Sequence, residues 1–185
     1  SASQQNAIYK LGTPLLFSSE ASVSAYLGDG WAQPESTHRW TVGAKAELFL
    51  LMEDYREQDL LLRMNCMAFR PRNVVDHQLV TIRINGHRVG TWTIREEAWQ
   101  ELAIPHDIVE SNGLAISFEI SNPSAPADYA LSADMRKLGL LVKELCISAP
   151  ILTWLGTGQD PLGSVFHRNG YFLRAIKRDA ARKLN

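Results

Sequence analysis

Only two cysteines occur in the 185 residues, Cys66 and Cys146, and neither has a ligand partner at Cys-x-x-Cys or Cys-x-x-His spacing. That excludes a zinc finger or ribbon. Both sit in apolar, strand-like runs, which reads as two buried thiols acting as small hydrophobes. A disulfide between them requires neighbouring strands and an oxidising compartment. Net charge is also nearly absent: the formal value of -1 gives no global electrostatic reason to expect nucleic acid. No apolar run approaches the roughly 18 residues that span a bilayer. Catalytic motifs are missing as well, with no Gly-x-Ser-x-Gly elbow, no His-Glu-x-x-His, no phosphate-binding loop and no Gly-x-Gly-x-x-Gly after a strand. The chain opens Ser-Ala-Ser without a methionine or an apolar leader, which reads as an excised or processed piece.

What is present is a long series of short strand signals. Leu11 to Phe17 and Val23 to Leu27 read as edge strands, the second alternating Val23, Ala25 and Leu27 against Ser24 and Tyr26. Ala44 to Met52 and Leu60 to Phe69 are long apolar runs for which helix is the competing reading. Strand is preferred because the next segments are plainly paired. Leu79 to Ile84, Asn85-Gly86 and Val89 to Ile94 form a hairpin by turn chemistry. Trp99 to Ile104 is a further strand, Pro105 to Val109 a helical turn, and Asn112-Gly113 leads into the strict alternation of Leu114 to Ile120. A proline-bearing loop, Asn122 to Asp128, precedes the last strand, Leu138 to Ile147. Eight or nine strands with little helix predict an all-β, antiparallel β-sandwich over residues 12–149. Beyond Pro150, a Gly/Pro-rich connection precedes Tyr171 to Leu184, which reads as a basic amphipathic helix able to dock on a partner or an anionic membrane surface.

One segment is chemically dense. Gly30-Trp31-Ala32-Gln33-Pro34-Glu35-Ser36-Thr37-His38-Arg39-Trp40-Thr41 combines two tryptophans, a carboxylate, an arginine and a histidine. Sugars present flat C–H faces, which tryptophan packs against, and hydroxyl edges, which carboxylate and guanidinium groups bind. Trp31, Glu35, Arg39 and Trp40 supply those groups. Each has a structural alternative: Trp40 as core, and Glu35 with Arg39 as an internal ion pair fixing the loop. Asp134 and Arg136, at the mouth of the last strand, either anchor their loop or line a site. Catalysis would need Glu35 or His38 within reach of another titratable group such as Asp134. A structural calcium would draw on Asp29, Asp134 or Glu144. No other cofactor is expected.

Taken in order, Gly30-Trp31-x-x-Pro34-Glu35-x-x-x-Arg39-Trp40-Thr41-x-Gly43, the Asn85-Gly86 hairpin and Ser132-Ala133-Asp134-Met135-Arg136-Lys137-Leu138-Gly139 resemble a jelly-roll, galactose-binding-like accessory domain. Such domains belong to bacterial proteins that build or modify surface glycans, often fused to glycosyltransferases. The resemblance implies a β-sandwich without catalysis of its own. It implies a glycan ligand, or a role in placing a glycosyltransferase domain. Separately, a cytoplasmic setting is expected, with peripheral membrane contact through the C-terminal helix. It points to Trp31, Glu35, Arg39, Trp40, Asp134 and Arg136 as signature positions. A sugar-binding site then requires an exposed Trp31 over a concavity holding Glu35 and Arg39; a scaffold requires these residues buried and mutually paired.

Overall fold

The computed structural model describes residues 7–18 and 22–150. Its strands run β1 (Ala7–Tyr9), β2 (Leu15–Leu16), β3 (Arg39–Val42), β4 (Lys45–Met52), β5 (Leu60–Ala68), β6 (Gln78–Ile84), β7 (His87–Ile94), β8 (Ala98–Ile104), β9 (Gly113–Ile120) and β10 (Leu138–Ser148). They form two sheets. The first has the order β1-β4-β9-β6-β7, with β1 parallel to β4 and the other pairs antiparallel. The second has the order β2-β10-β5-β8, with β3 also paired to β10. Because β5 covers one edge of β10, β3 and β2 share the other, at Leu138 to Val142 and at Glu144 to Leu145.

Alternation decides which side chains enter the core. In β4 the residues Ala46, Leu48, Leu50 and Met52 are buried, and in β5 Leu60, Leu62, Met64, Cys66 and Ala68 are, each on every second position. A two-residue period places those atoms on one face of a strand and fits no helix. The helical alternative for both runs therefore fails. Ile82, Ile84, Ile116 and Phe118 answer from the first sheet, and Trp92 stacks on Phe118 at 6.2 Å while its N–H donates to the Glu101 carbonyl at 3.1 Å. Asn85 and Gly86, at φ 49° and 80°, make the turn between β6 and β7.

Several expectations need correction or extension. Val23 to Leu27 is not a strand: Ser22–Tyr26 is a 3-10 turn that buries Val23 and directs the Tyr26 hydroxyl to the Ile8 carbonyl at 2.7 Å. Short-range alternation misled here because a 3-10 turn repeats every three residues, so Val23 and Tyr26 share a side. Strand β1 lies before the boundary expected at residue 12. The two cysteines are free, Cys66 buried and Cys146 half-buried. The strands are neighbours, but Cys66 faces the core and Cys146 sits opposite Arg63 on the other face of the sheet, so no bridge forms. Burial pushes the Cys66 thiol up to about 12. The helix expected over 171–184 lies outside the described residues. Among the described residues no helix is long and apolar enough to cross a membrane.

Candidate functional site

The Trp/Glu/Arg segment folds as a narrow hairpin against the second sheet. Trp31 bridges to Thr41, and the Ala32 N–H donates to the Trp40 carbonyl at 2.9 Å. The hairpin can approach the first sheet only because Gly30, at φ 87°, has no side chain: a Cβ there would lie 1.9 Å from the Lys45 carbonyl oxygen. Its tip is closed by the Glu35 N–H, which donates to the His38 carbonyl at 2.8 Å.

The six signature residues take up four kinds of position. Trp31 is half-buried, tilted on Phe17 at 5.0 Å, and its indole N–H donates to the Glu47 carbonyl at 2.8 Å. Arg39, only 8% exposed, points inward with Thr41, whose hydroxyl accepts the Leu140 N–H at 2.8 Å. Trp40 points the opposite way and stands edge-on between His38 at 5.8 Å and Phe69 at 5.7 Å. Glu35, Asp134 and Arg136 lie at the rim. Arg136 grips Asp134 through two guanidinium nitrogens, Nε and Nη2, at 3.0 and 2.6 Å, and its backbone N–H adds a bond at 2.9 Å. These hydrogen bonds hold the Asp134 carboxyl down to about 2, while Asp134 first and Glu35 more distantly raise Arg136.

The concavity holding Glu35 and Arg39 beneath an exposed Trp31 is therefore not built. Arg39 is interior, Glu35 is exposed, and Glu35 contacts His38 rather than Arg39. The pair Asp134–Arg136 anchors its own loop. An acid–base arrangement also lacks alignment. The His38 Nδ1 and the Thr37 hydroxyl are 3.0 Å apart and the His38 Nε2 lies 3.2 Å from the Glu35 carboxylate, yet that buried Nε2 makes no hydrogen bond. Asp134 is held by Arg136 and is not a partner of Glu35 in proton transfer. Among the described residues no group of three or more His, Cys, Asp and Glu could hold a metal ion, and Asp29, Asp134 and Glu144 are not gathered together.

The outward face of the second sheet carries the richer chemistry. Register places Trp99 of β8, Asn65 of β5 and Glu144 of β10 in one row, and Glu101, Arg63 and Cys146 in the next. Trp99 is 41% exposed, and the Arg63 guanidinium lies 4.9 Å over its ring while Nε donates to Glu101 at 2.9 Å. Lys143 reaches Glu97 at 2.7 Å across the same face. Met67, opposite Leu141, and Leu141, opposite Trp40, continue it to the hairpin. A signal for this face existed in the sequence: Arg63 and Asn65 in β5, and Trp99 and Glu101 in β8, occupy alternate positions in otherwise apolar strands.

A scan against protein-family models finds none that matches. A search of curated proteins finds no match. Among solved structures, the chain overlaps the CBM36-1 domain of a multidomain xylanase from the hindgut metagenome of Trinervitermes trinervoides, with a TM-score of 0.42 and 11% identity over 76% of this chain and 98% of that one. It overlaps the C-terminal CBM6 of a marine laminarinase from Zobellia galactanivorans with a TM-score of 0.42 and 8% identity, over 74% and 98%. An acetyl xylan esterase from Butyrivibrio proteoclasticus gives a TM-score of 0.44 and 11% identity, over 77% of this chain and 35% of that one. Overlap at this level assigns the chain to no family.

Proposed function

We propose that this chain is a non-catalytic carbohydrate-binding module whose ligand lies on the outward face of the second sheet. The observation that carries the reading is Trp99, an open indole at the sheet margin with a guanidinium, a carboxylate and an amide beside it. An indole face takes the C–H surface of a sugar ring, and Arg63, Glu101 and Asn65 offer donors and acceptors for its hydroxyls. From β8 to β3 the face spans three strand spacings, about 14 Å, which suits an oligosaccharide better than a single sugar. Trp40, with His38 and Phe69, marks the opposite margin, and Glu35 and Arg136 lie at the rim beyond it. Titration calorimetry against xylo-, gluco- and galacto-oligosaccharides tests this. Binding is expected, and Trp99→Ala should weaken it about tenfold or more, as loss of an aromatic anchor does. Affinity unchanged in Trp99→Ala sinks the outward-face site.

A second reading is favoured by a different observation. Leu131 and Met135, 49% and 71% exposed, are apolar side chains on the loop that carries the Asp134–Arg136 pair. On this reading the sandwich positions a glycosyltransferase domain in a bacterial glycan-assembly protein, and the signature residues are scaffold. Loss of association with such a domain in a Leu131→Lys/Met135→Lys variant, with every glycan titration flat, would favour it. A cytoplasmic position with peripheral membrane contact through residues 171–184 accompanies both readings. Liposome co-sedimentation with and without that segment decides the contact.

A further inference from the structure

Arg39 is set apart from the other arginines. Arg63, Arg70, Arg83, Arg95 and Arg136 each hold a carboxylate, at 2.6 to 2.9 Å. Arg39 is far more buried than any of these, and it has no ion pair among the described residues. Its Nη2 donates to the Ser24 hydroxyl at 3.5 Å, at the long limit of a hydrogen bond, and its Nε has no partner. Withdrawal from water lowers its pKa, and no neighbouring carboxylate raises it again. A buried guanidinium without a counter-charge is strongly unfavourable and has a fixed fork of donors that matches a planar carboxylate. Ser24 is exposed, so the Nη2 side of the group adjoins the surface beside the 3-10 turn.

We propose that Arg39 and Ser24 form a receiving site for the carboxylate of a small acidic ligand, with a uronic acid sugar as the class that joins this chemistry to a glycan-binding fold. The carboxylate would take the unpartnered Nε and the weakly held Nη2 side by side, and the Ser24 hydroxyl would complete the contact. This site is on the inward side of β3 and is distinct from the outward face of Trp99. It stands or falls independently of that face.

Thermal-shift titration of the full chain at low ionic strength provides the test, since a ligand that binds only the folded state raises the unfolding temperature with concentration. The probes are galacturonate, glucuronate, acetate and galactose. The expected result is a rise with both uronates, none with galactose, and loss of the rise in Arg39→Gln. A larger effect of uronate than of acetate identifies sugar recognition; equal effects identify a bare carboxylate site. Ser24→Ala, a surface change that leaves folding intact, should weaken uronate binding, so the test survives even if Arg39→Gln does not fold. No uronate effect on the wild type, or unchanged affinity in Ser24→Ala, overturns the proposal.

Discussion

Trp31 and Trp99 are both partly open to water, yet they belong to opposite kinds of surface. Trp31 sits in a hairpin with its own groups already engaged, its N–H by the Glu47 carbonyl and its ring by Phe17. Trp99 sits on a regular strand, 41% exposed, with the Arg63 guanidinium over its ring. Of the residues clustered in the sequence, Trp31 and Thr41 spend their polar groups on the fold. Those scattered two apart along strands assemble a surface. The difference is between a tryptophan whose N–H is spent on a backbone carbonyl and one whose polar neighbours are gathered by strand register.

This contrast can be broken at several points, and the hairpin side should break hardest. Gly30→Ala should destabilise by at least about 3 kcal/mol, because it combines a left-handed backbone with a backbone clash, and the expected readout is loss of cooperative thermal unfolding or of soluble protein. A variant that unfolds like the wild type would show that the hairpin does not need its close approach to β4. Trp31→Ala should cost about 3 kcal/mol from lost packing on Phe17 and loss of one of the two hydrogen bonds to the Glu47 carbonyl, which keeps the Gly28 N–H, measured by urea unfolding. Thr41→Val keeps the shape and strands the Leu140 N–H, for about 2 kcal/mol in the same assay. On the other side, Trp99→Ala should cost less than about 1 kcal/mol, the value of an exposed cation–π contact. A large loss of stability there would erase the distinction between the two tryptophans.

The smallest effect belongs to the rim. Because the folded Asp134 carboxyl is lowered to about 2, the pair contributes stability above the ordinary aspartate value of about 3.9, and that contribution fades as pH falls through about 2. Arg136→Gln should move the Asp134 titration, followed by its carboxyl carbon resonance, back up toward the ordinary value. The stability difference between variant and wild type should shrink to nothing in strong acid. An Asp134 that titrates at the same pH in both proteins would mean that the loop, and not the guanidinium, sets its charge.

The sandwich was legible because alternation is a direct image of the pleat: β4, β5, β6, β7, β9 and β10 occur where the apolar periods and the Asn-Gly turn place them. The 3-10 turn at Ser22–Tyr26 was not, since five residues do not separate a period of two from a period of three. The candidate site was legible only as a list of groups. The sequence contains Arg39 and Glu35 four residues apart, but not that β3 turns Arg39 toward the core while the tip of the hairpin leaves Glu35 in water. It contains Arg63 and Trp99, thirty-six positions apart, but their meeting is a consequence of the β5–β8 register, which no local pattern encodes.

The sharing of one edge of β10 by β3 and β2 has a mechanical consequence. A pull on the chain at Ser148 directed along β10 is opposed by β5 over nearly the whole strand and by two short strands in series on the other side. The hydrogen bonds on both edges then bear the load together, in shear, and cannot open one after another like a zipper. A force applied across the strand at β1, whose Ala7–Tyr9 pairs with β4 alone, meets a short ladder that peels bond by bond, backed by the Tyr26 hydroxyl on the Ile8 carbonyl and the Tyr9 hydroxyl on Ile147. The same molecule is thus stiff when drawn from one end and yielding when drawn from the other.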